Sequence, residues 1–130
     1  VGFCAFITTA GFAVDEFLMA DLFTAATGIE KTAEVLMRDG ERIVTLERMI
    51  LVREGRRRKD DKLPWRIMHE PIKTRDGKEY VVSEEELNEM LDKYFALRKW
   101  DVRTGVPLPE KLKALGLEFT VDVAERALRE

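Results

Sequence analysis

The sequence predicts an all-α protein: an irregular helical bundle with a long ordered loop between its second and third helices. Three observations carry that expectation. Apolar residues recur at helical spacing in several separate stretches, Ser83 stands three residues before Glu86 as in a capping box, and the period disappears between Gly55 and Val82.

Taken in order, Asp15 is placed to cap a first helix carrying Val14, Phe17, Leu18, Leu22 and Ala25, which stops at Thr27-Gly28. A second, long helix spans about Thr32 to Glu54. Its apolar stripe is Leu36, Ile43, Leu46 and Ile50, with Gly40 on the same face as a place for a bend or for close approach of a neighbouring backbone. Pro64, Pro71 and the Asp76-Gly77 turn interrupt the stretch from Gly55 to Val82, which reads as extended loop with room for a small hairpin. The third helix begins at Ser83, with Leu87, Met90, Leu91, Tyr94 and Leu97 along one side. Pro107 and Pro109 exclude helix interior before them, Glu110 to Leu115 suit a brief helix closed by Gly116, and Thr120 can cap a last helix with Val123, Ala124, Ala127 and Leu128 on one face.

Bulk properties narrow the class. At 130 residues, with 45% apolar and 36% charged residues, the chain suits one helical domain with a modest core and is too hydrophobic for disorder. Lys plus Arg (22) nearly balances Asp plus Glu (25), so no broad positive field invites nucleic acid or an anionic membrane. One cysteine cannot form an internal disulfide, which fits the cytoplasm. The apolar run Val1 to Val14 has no basic leader and is shorter than the roughly 20 residues of a bilayer span. A start at Val inside hydrophobic sequence reads as a fragment whose apolar Phe3, Phe6 and Ile7 are normally covered, and which can self-associate when uncovered. The absence of Gln, the single Asn88 and the wealth of Glu, Lys and Arg suit a heat-adapted source.

Few residues announce chemistry. With one His, one Cys, no Gly-rich phosphate loop and no paired nucleophile and base, no catalytic residue is expected in this chain. His69 suits a surface or capping role. The run Arg56-Arg57-Arg58-Lys59 is followed by Asp60-Asp61 and reads as a locally neutralised, solvated loop, while Glu41, Arg42, Glu47 and Arg48 read as ion pairing along the second helix. Cys4 follows Gly2-Phe3 in an apolar turn that lets backbone approach a bulky prosthetic group, although a buried inert thiol is the default for one cysteine.

Several segments in order resemble the C-terminal region of the aldehyde:ferredoxin oxidoreductase family. They are Val1-Gly2-Phe3-Cys4, Gly40-Glu41-Arg42-Ile43 with Leu46-Glu47-Arg48, Arg53-Glu54-Gly55, and Asp60-Asp61-Lys62-Leu63-Pro64-Trp65-Arg66. Glu70-Pro71, Tyr94 to Asp101, Gly105-Val106-Pro107, Glu110-Lys111-Leu112 and Leu115-Gly116-Leu117 complete the set, covering roughly residues 1 to 117. The resemblance implies a tungsten-bis-pterin centre beside a 4Fe-4S cluster, aldehyde oxidation to carboxylic acid, and ferredoxin as electron acceptor. Cys4 matches the family's fourth cluster cysteine, and Gly2 and Phe3 match the turn that contacts a pterin, with Phe3 in place of the usual Leu. The other cluster cysteines and the acid/base residues belong to upstream sequence, so the fragment alone is expected to be inactive and to hold neither cofactor. Two departures stand out: Lys99 where the family usually has Gly, and Leu108 where Thr is common. The alternative is a stand-alone helical scaffold or interaction module in which Cys4 is a buried thiol.

Overall fold

The computed structural model describes residues 14–129. The described chain is helical apart from one short hairpin, as the sequence predicts. Its elements are α1 (Glu16–Thr27), α2 (Ala33–Arg53), α3 (Trp65–His69), β1 (Ile72–Lys73), β2 (Glu79–Tyr80), α4 (Glu84–Arg98), α5 (Pro109–Ala114) and α6 (Val121–Leu128), with single 3₁₀ turns at Arg58–Asp60 and Glu118–Thr120. Packing divides the chain into two compact units, Val1–Leu46 and Glu47–Glu130, the division falling inside α2.

In the first unit, Asp15 accepts a hydrogen bond from the Leu18 N–H at 2.8 Å, and Gly28 closes α1 in the left-handed region at φ +71°. Ala20 of α1 is buried with Ala33 and Leu36 of α2, and Met19 and Phe23 pack against them. Lys31 pairs with Asp39 and lies 6.0 Å from the Phe23 ring centroid.

The faces that α2 and α4 bury differ from those the apolar period selects. On α2, Leu36 is buried and Leu46 half-buried, but Ile43 and Ile50 are exposed. From residue 45 onward the buried positions are Thr45, Arg48, Met49 and Val52, spaced i, i+3, i+4, i+7. Two of the four are polar, so a search for apolar periodicity passes them by. Gly40 has no atom within 4 Å of where a Cβ would stand, so the close approach expected there is absent among the described residues. On α4 the buried residue is Phe95, one turn beyond half-buried Leu87 and Leu91, while Met90, Tyr94 and Leu97 are exposed.

The loop expected between Gly55 and Val82 contains more structure than its prolines suggest. Pro64 precedes α3 from the extended region, at φ −53° and ψ 143°, where its missing N–H costs nothing. Ile72 pairs with Tyr80 and Lys73 with Glu79 in the hairpin around Asp76-Gly77, Gly77 lying at φ +81°. The Ser83 hydroxyl accepts from the Glu86 N–H at 3.1 Å and the Glu86 carboxylate accepts from the Ser83 N–H at 2.9 Å, the reciprocal capping expected at the start of α4.

At the C-terminal side, α5, the Glu118–Thr120 turn and α6 pack on one another, with Leu112, Leu115, Leu117, Ala124 and Ala127 buried. Thr120 does not cap α6 as expected. Its hydroxyl donates instead to the Leu117 carbonyl at 2.7 Å, because the preceding 3₁₀ turn runs directly into the helix and presents that acceptor first. The two departures from the family pattern both fall on helix boundaries. Lys99 ends α4 at φ +55°, ψ +46°, a conformation glycine adopts more cheaply, and Leu108 stands at the N-cap of α5 without a side-chain bond to offer.

Candidate functional site

Gly2, Phe3 and Cys4, the residues expected to meet a cofactor, lie outside the described residues. Among the described residues no group of three or more His, Cys, Asp or Glu is placed to hold a metal ion. Their chemistry is organised instead around two arginines of the second unit.

Arg48 enters from α2 and is 7% exposed. Its terminal nitrogens donate to the two carboxylate oxygens of Asp61, each at 2.7 Å, and its Nε donates to the Gly105 carbonyl at 2.9 Å. The guanidinium carbon lies 5.7 Å from the Phe95 ring centroid and 5.5 Å from that of Trp100. A buried cation is thus met by a two-point carboxylate, a carbonyl and aromatic faces, which together answer its desolvation. Gly105, at φ +70°, makes room: a Cβ there would overlap Arg48 Nη2 and come within 3.1 Å of Phe95 Cζ. The ion pairing expected of Arg48 is real, but its partner lies across a loop rather than along the helix, and the pair is interior rather than on the surface.

The loop that presents Gly105 is itself tied down by Asp101. One Asp101 carboxylate oxygen accepts from the Thr104 N–H at 2.8 Å and from the Thr104 hydroxyl at 2.6 Å, and the Gly105 N–H returns to the Asp101 carbonyl at 2.7 Å. Trp100 bridges to Pro107 in antiparallel fashion. The Arg48, Asp61, Trp100-Asp101 and Gly105-Val106-Pro107 segments, remote in sequence, therefore converge on one buried node.

Arg58 forms a second node beside the first. Its side chain pairs with Asp92, donates to the Val102 carbonyl at 2.7 Å and to the backbone and side-chain oxygens of Asn88, each at 3.2 Å, and lies 5.8 Å from the Phe95 ring centroid. The Arg58 N–H donates to the Thr104 carbonyl at 2.8 Å. The solvated reading of the basic run therefore fails at Arg58, which is spent on tertiary contacts, and it also misassigns the carboxylates. Asp60 accepts from the Arg57 N–H at 2.9 Å, while Asp61 leaves the run to serve Arg48. Arg56 and Lys59 remain exposed, as expected of the run. A cleft of about 350 Å³ opens here, with Arg58, Lys62, Met68, Asn88 and Arg103 in its wall.

His69 has the bland role expected of it. Its Nδ1 lies 2.9 Å from the Trp65 carbonyl, a donation that requires the Nδ1-protonated tautomer, and its ring stacks on Trp65 at 4.8 Å and 4° between planes. Both residues are exposed, and together they close the single turn of α3.

Comparison with known proteins places these features in a family setting. Residues 1–117 match the model of aldehyde ferredoxin oxidoreductase, domains 2 and 3. The tungsten-containing aldehyde ferredoxin oxidoreductase of Pyrococcus abyssi is 39% identical over 118 residues, 90% of this chain and 18% of that protein. The enzyme of the same name from Pyrococcus furiosus is 38% identical over 117 residues, 89% of this chain and 18% of that protein. The chain thus spans less than a fifth of the length of these relatives. Among solved structures, the active-site complex BamBC of benzoyl coenzyme A reductase, in complex with 1,5-dienoyl-CoA, superposes with a TM-score of 0.67 at 28% identity, covering 88% of this chain and 16% of that one.

Proposed function

The chain belongs to the aldehyde ferredoxin oxidoreductase family, and from that premise we propose that it is the helical C-terminal portion of a tungsten-dependent aldehyde:ferredoxin oxidoreductase in which Cys4 supplies one ligand of a 4Fe-4S cluster. Gly2 and Phe3 form part of the pterin cavity wall. In the intact protein the tungsten-pterin centre and the cluster supply aldehyde oxidation to the carboxylic acid and onward transfer of the electrons to ferredoxin. The observation that carries this reading is the family match over residues 1–117, which includes the chain's one cysteine.

What this chain contributes is scaffold and a single thiolate. The donors for such a centre are expected from other sequence of the intact polypeptide. A thiolate given by one portion of the polypeptide to a cluster held mainly by another ties the two together, and makes cluster binding part of the folding free energy. Apolar Phe3 beside that thiolate limits water near the cluster and so influences its potential. The described chain also leaves large apolar side chains uncovered, among them Phe17, Ile29, Ile50, Leu97 and Phe119, as suits a piece that packs against further sequence. With one cysteine and an amide-poor, charge-rich composition, the protein is assigned to the cytoplasm of a heat-adapted organism.

The test is iron and tungsten analysis of the intact polypeptide that carries this chain, before and after Cys4→Ser. Loss or weakening of the cluster's visible absorption and of bound iron in the variant is the expected result. Unchanged iron content and absorption would remove Cys4 from the ligand set, and a polypeptide that binds neither metal would instead be a helical scaffold.

A further inference from the structure

The cleft of about 350 Å³ beside Arg58 is walled by segments of the second unit alone: the stretch from Arg58 to Lys62, Met68 of α3, the first half of α4, and the loop that carries Arg103. Arg58 ties these walls to one another. Its backbone N–H donates to the Thr104 carbonyl at 2.8 Å and its guanidinium to the Val102 carbonyl at 2.7 Å, which brackets Arg103 from both sides. The same guanidinium holds Asn88 and Asp92 of α4. A cleft braced in this way keeps its shape without a ligand, which lowers the ordering cost of binding.

The charges of the wall leave a positive excess. Arg58 is answered by Asp92, and both carboxylate oxygens of Asp61 are taken by Arg48. Lys59 and Lys62 are exposed and pair with no carboxylate among the described residues. Arg103 donates one terminal nitrogen to the Leu128 carbonyl at 3.0 Å and keeps its other donors. The remaining carboxylate of the wall, Glu84, stands at the first position of α4, where the positive end of the helix favours it. Three cations thus face one carboxylate. The floor beneath them is apolar: Met68, and Leu87 with Leu91 at i and i+4 on α4, are each half-buried.

We propose that this cleft binds a medium-chain aliphatic carboxylate, its head group at Lys59, Lys62 and Arg103 and its chain along Met68, Leu87 and Leu91. The positive excess selects an anion, and two compact ammonium groups beside one guanidinium accept a carboxylate without imposing a single bidentate geometry. The floor selects an alkyl chain, with the unbranched thioether of Met68 free to follow its shape. Ligand pockets run from roughly 300 to 1,000 Å³, and a volume at the small end of that range suits a chain of about eight carbons rather than a long fatty acid. The site goes beyond the redox reading and does not depend on Cys4.

The experiment is calorimetric titration of the intact polypeptide that carries this chain with octanoate, butyrate and octylamine at matched ionic strength. Saturable binding of octanoate is expected, with butyrate weaker by about tenfold or more, since each fully buried methylene contributes a factor of about four, and with octylamine weaker than octanoate because its charge is of the wrong sign. Lys62→Gln and Arg103→Gln should each weaken octanoate about three- to tenfold, the loss of one charge-assisted contact. Met68→Gln should weaken octanoate and leave butyrate unchanged, which separates the floor from the head group, and Lys113→Gln, outside this lining, should alter neither. The proposal is overturned by any of three results: no saturable binding of octanoate up to about 10 mM, octanoate affinity unaffected by both the Lys62 and the Arg103 substitutions, or butyrate or octylamine binding as tightly as octanoate.

Discussion

Arg48 and Asp61 meet through two parallel hydrogen bonds of 2.7 Å, with the arginine side chain 7% exposed and the aspartate side chain 25% exposed. This pair joins the C-terminal half of α2 to the loop after it. Removing the carboxylate leaves a buried guanidinium with only the Gly105 carbonyl and two aromatic faces. Because Asp61 keeps some contact with water, the cost of Asp61→Ala should fall near the lower end of that for breaking a buried pair, about 3 kcal/mol. Chemical denaturation of the two proteins measures it, and a change below about 0.5 kcal/mol, the scale of ordinary surface substitutions, would show that the pair contributes no more than an exposed one.

Gly105→Ala should cost a similar amount, about 2 to 4 kcal/mol, from two sources acting together. The residue must hold φ +70°, and its new methyl must displace Arg48 Nη2. A flexible arginine end would move aside easily, but this one is fixed by Asp61 on two sides, so relief means breaking the pair. A Gly105→Ala protein in which Asp61→Ala costs much less than it does in the parent would demonstrate the coupling, measured as a double-mutant cycle.

At the end of α4 the change should go the other way. Lys99 holds a left-handed conformation, φ +55° and ψ +46°, that a residue with a Cβ adopts at a cost of roughly 1 kcal/mol. Lys99→Gly removes that strain but adds freedom to the unfolded chain, leaving a net stabilisation of about 0.5 kcal/mol. A rise in the melting temperature of the variant is the expected readout, and a fall would mean that the lysine side chain makes compensating contacts.

The hairpin should respond to acid. Hydrogen bonding from Thr74, with a smaller contribution from Lys78, holds the Asp76 carboxyl below its ordinary value of 3.8. A depressed folded value means that the turn is favoured above the ordinary aspartate range and loses this support as pH falls through the lowered value. Titration of the Asp76 side-chain carbon by NMR should give a midpoint below 3.8, with exchange of the Thr74 amide, which bonds to the Lys78 carbonyl at 2.8 Å, accelerating over the same interval. Asp76→Asn should abolish that acid-dependent change.

Local signals were legible wherever one or two neighbouring residues decide the outcome. Asp15 and Gly28 bound α1, Ser83 with Glu86 starts α4, and Asp76-Gly77 turns the hairpin, because caps and tight turns are satisfied by groups within four residues. The resemblance of separate segments likewise led to the family that the 1–117 match establishes. Cys4, the residue on which the functional proposal rests, was picked out by sequence alone.

By itself, then, the sequence determined the helical class, most of the element boundaries and the family. Only the tertiary structure decided which faces are buried, that Arg48 and Arg58 are structural members rather than solvated charges, and why Gly105 carries no side chain. The physical reason is range. A helix cap is settled by its own backbone, whereas a charged side chain enters the interior only if a carboxylate, a carbonyl and aromatic faces arrive from distant segments to replace its water, and nothing in the local sequence around Arg48 signals that they will.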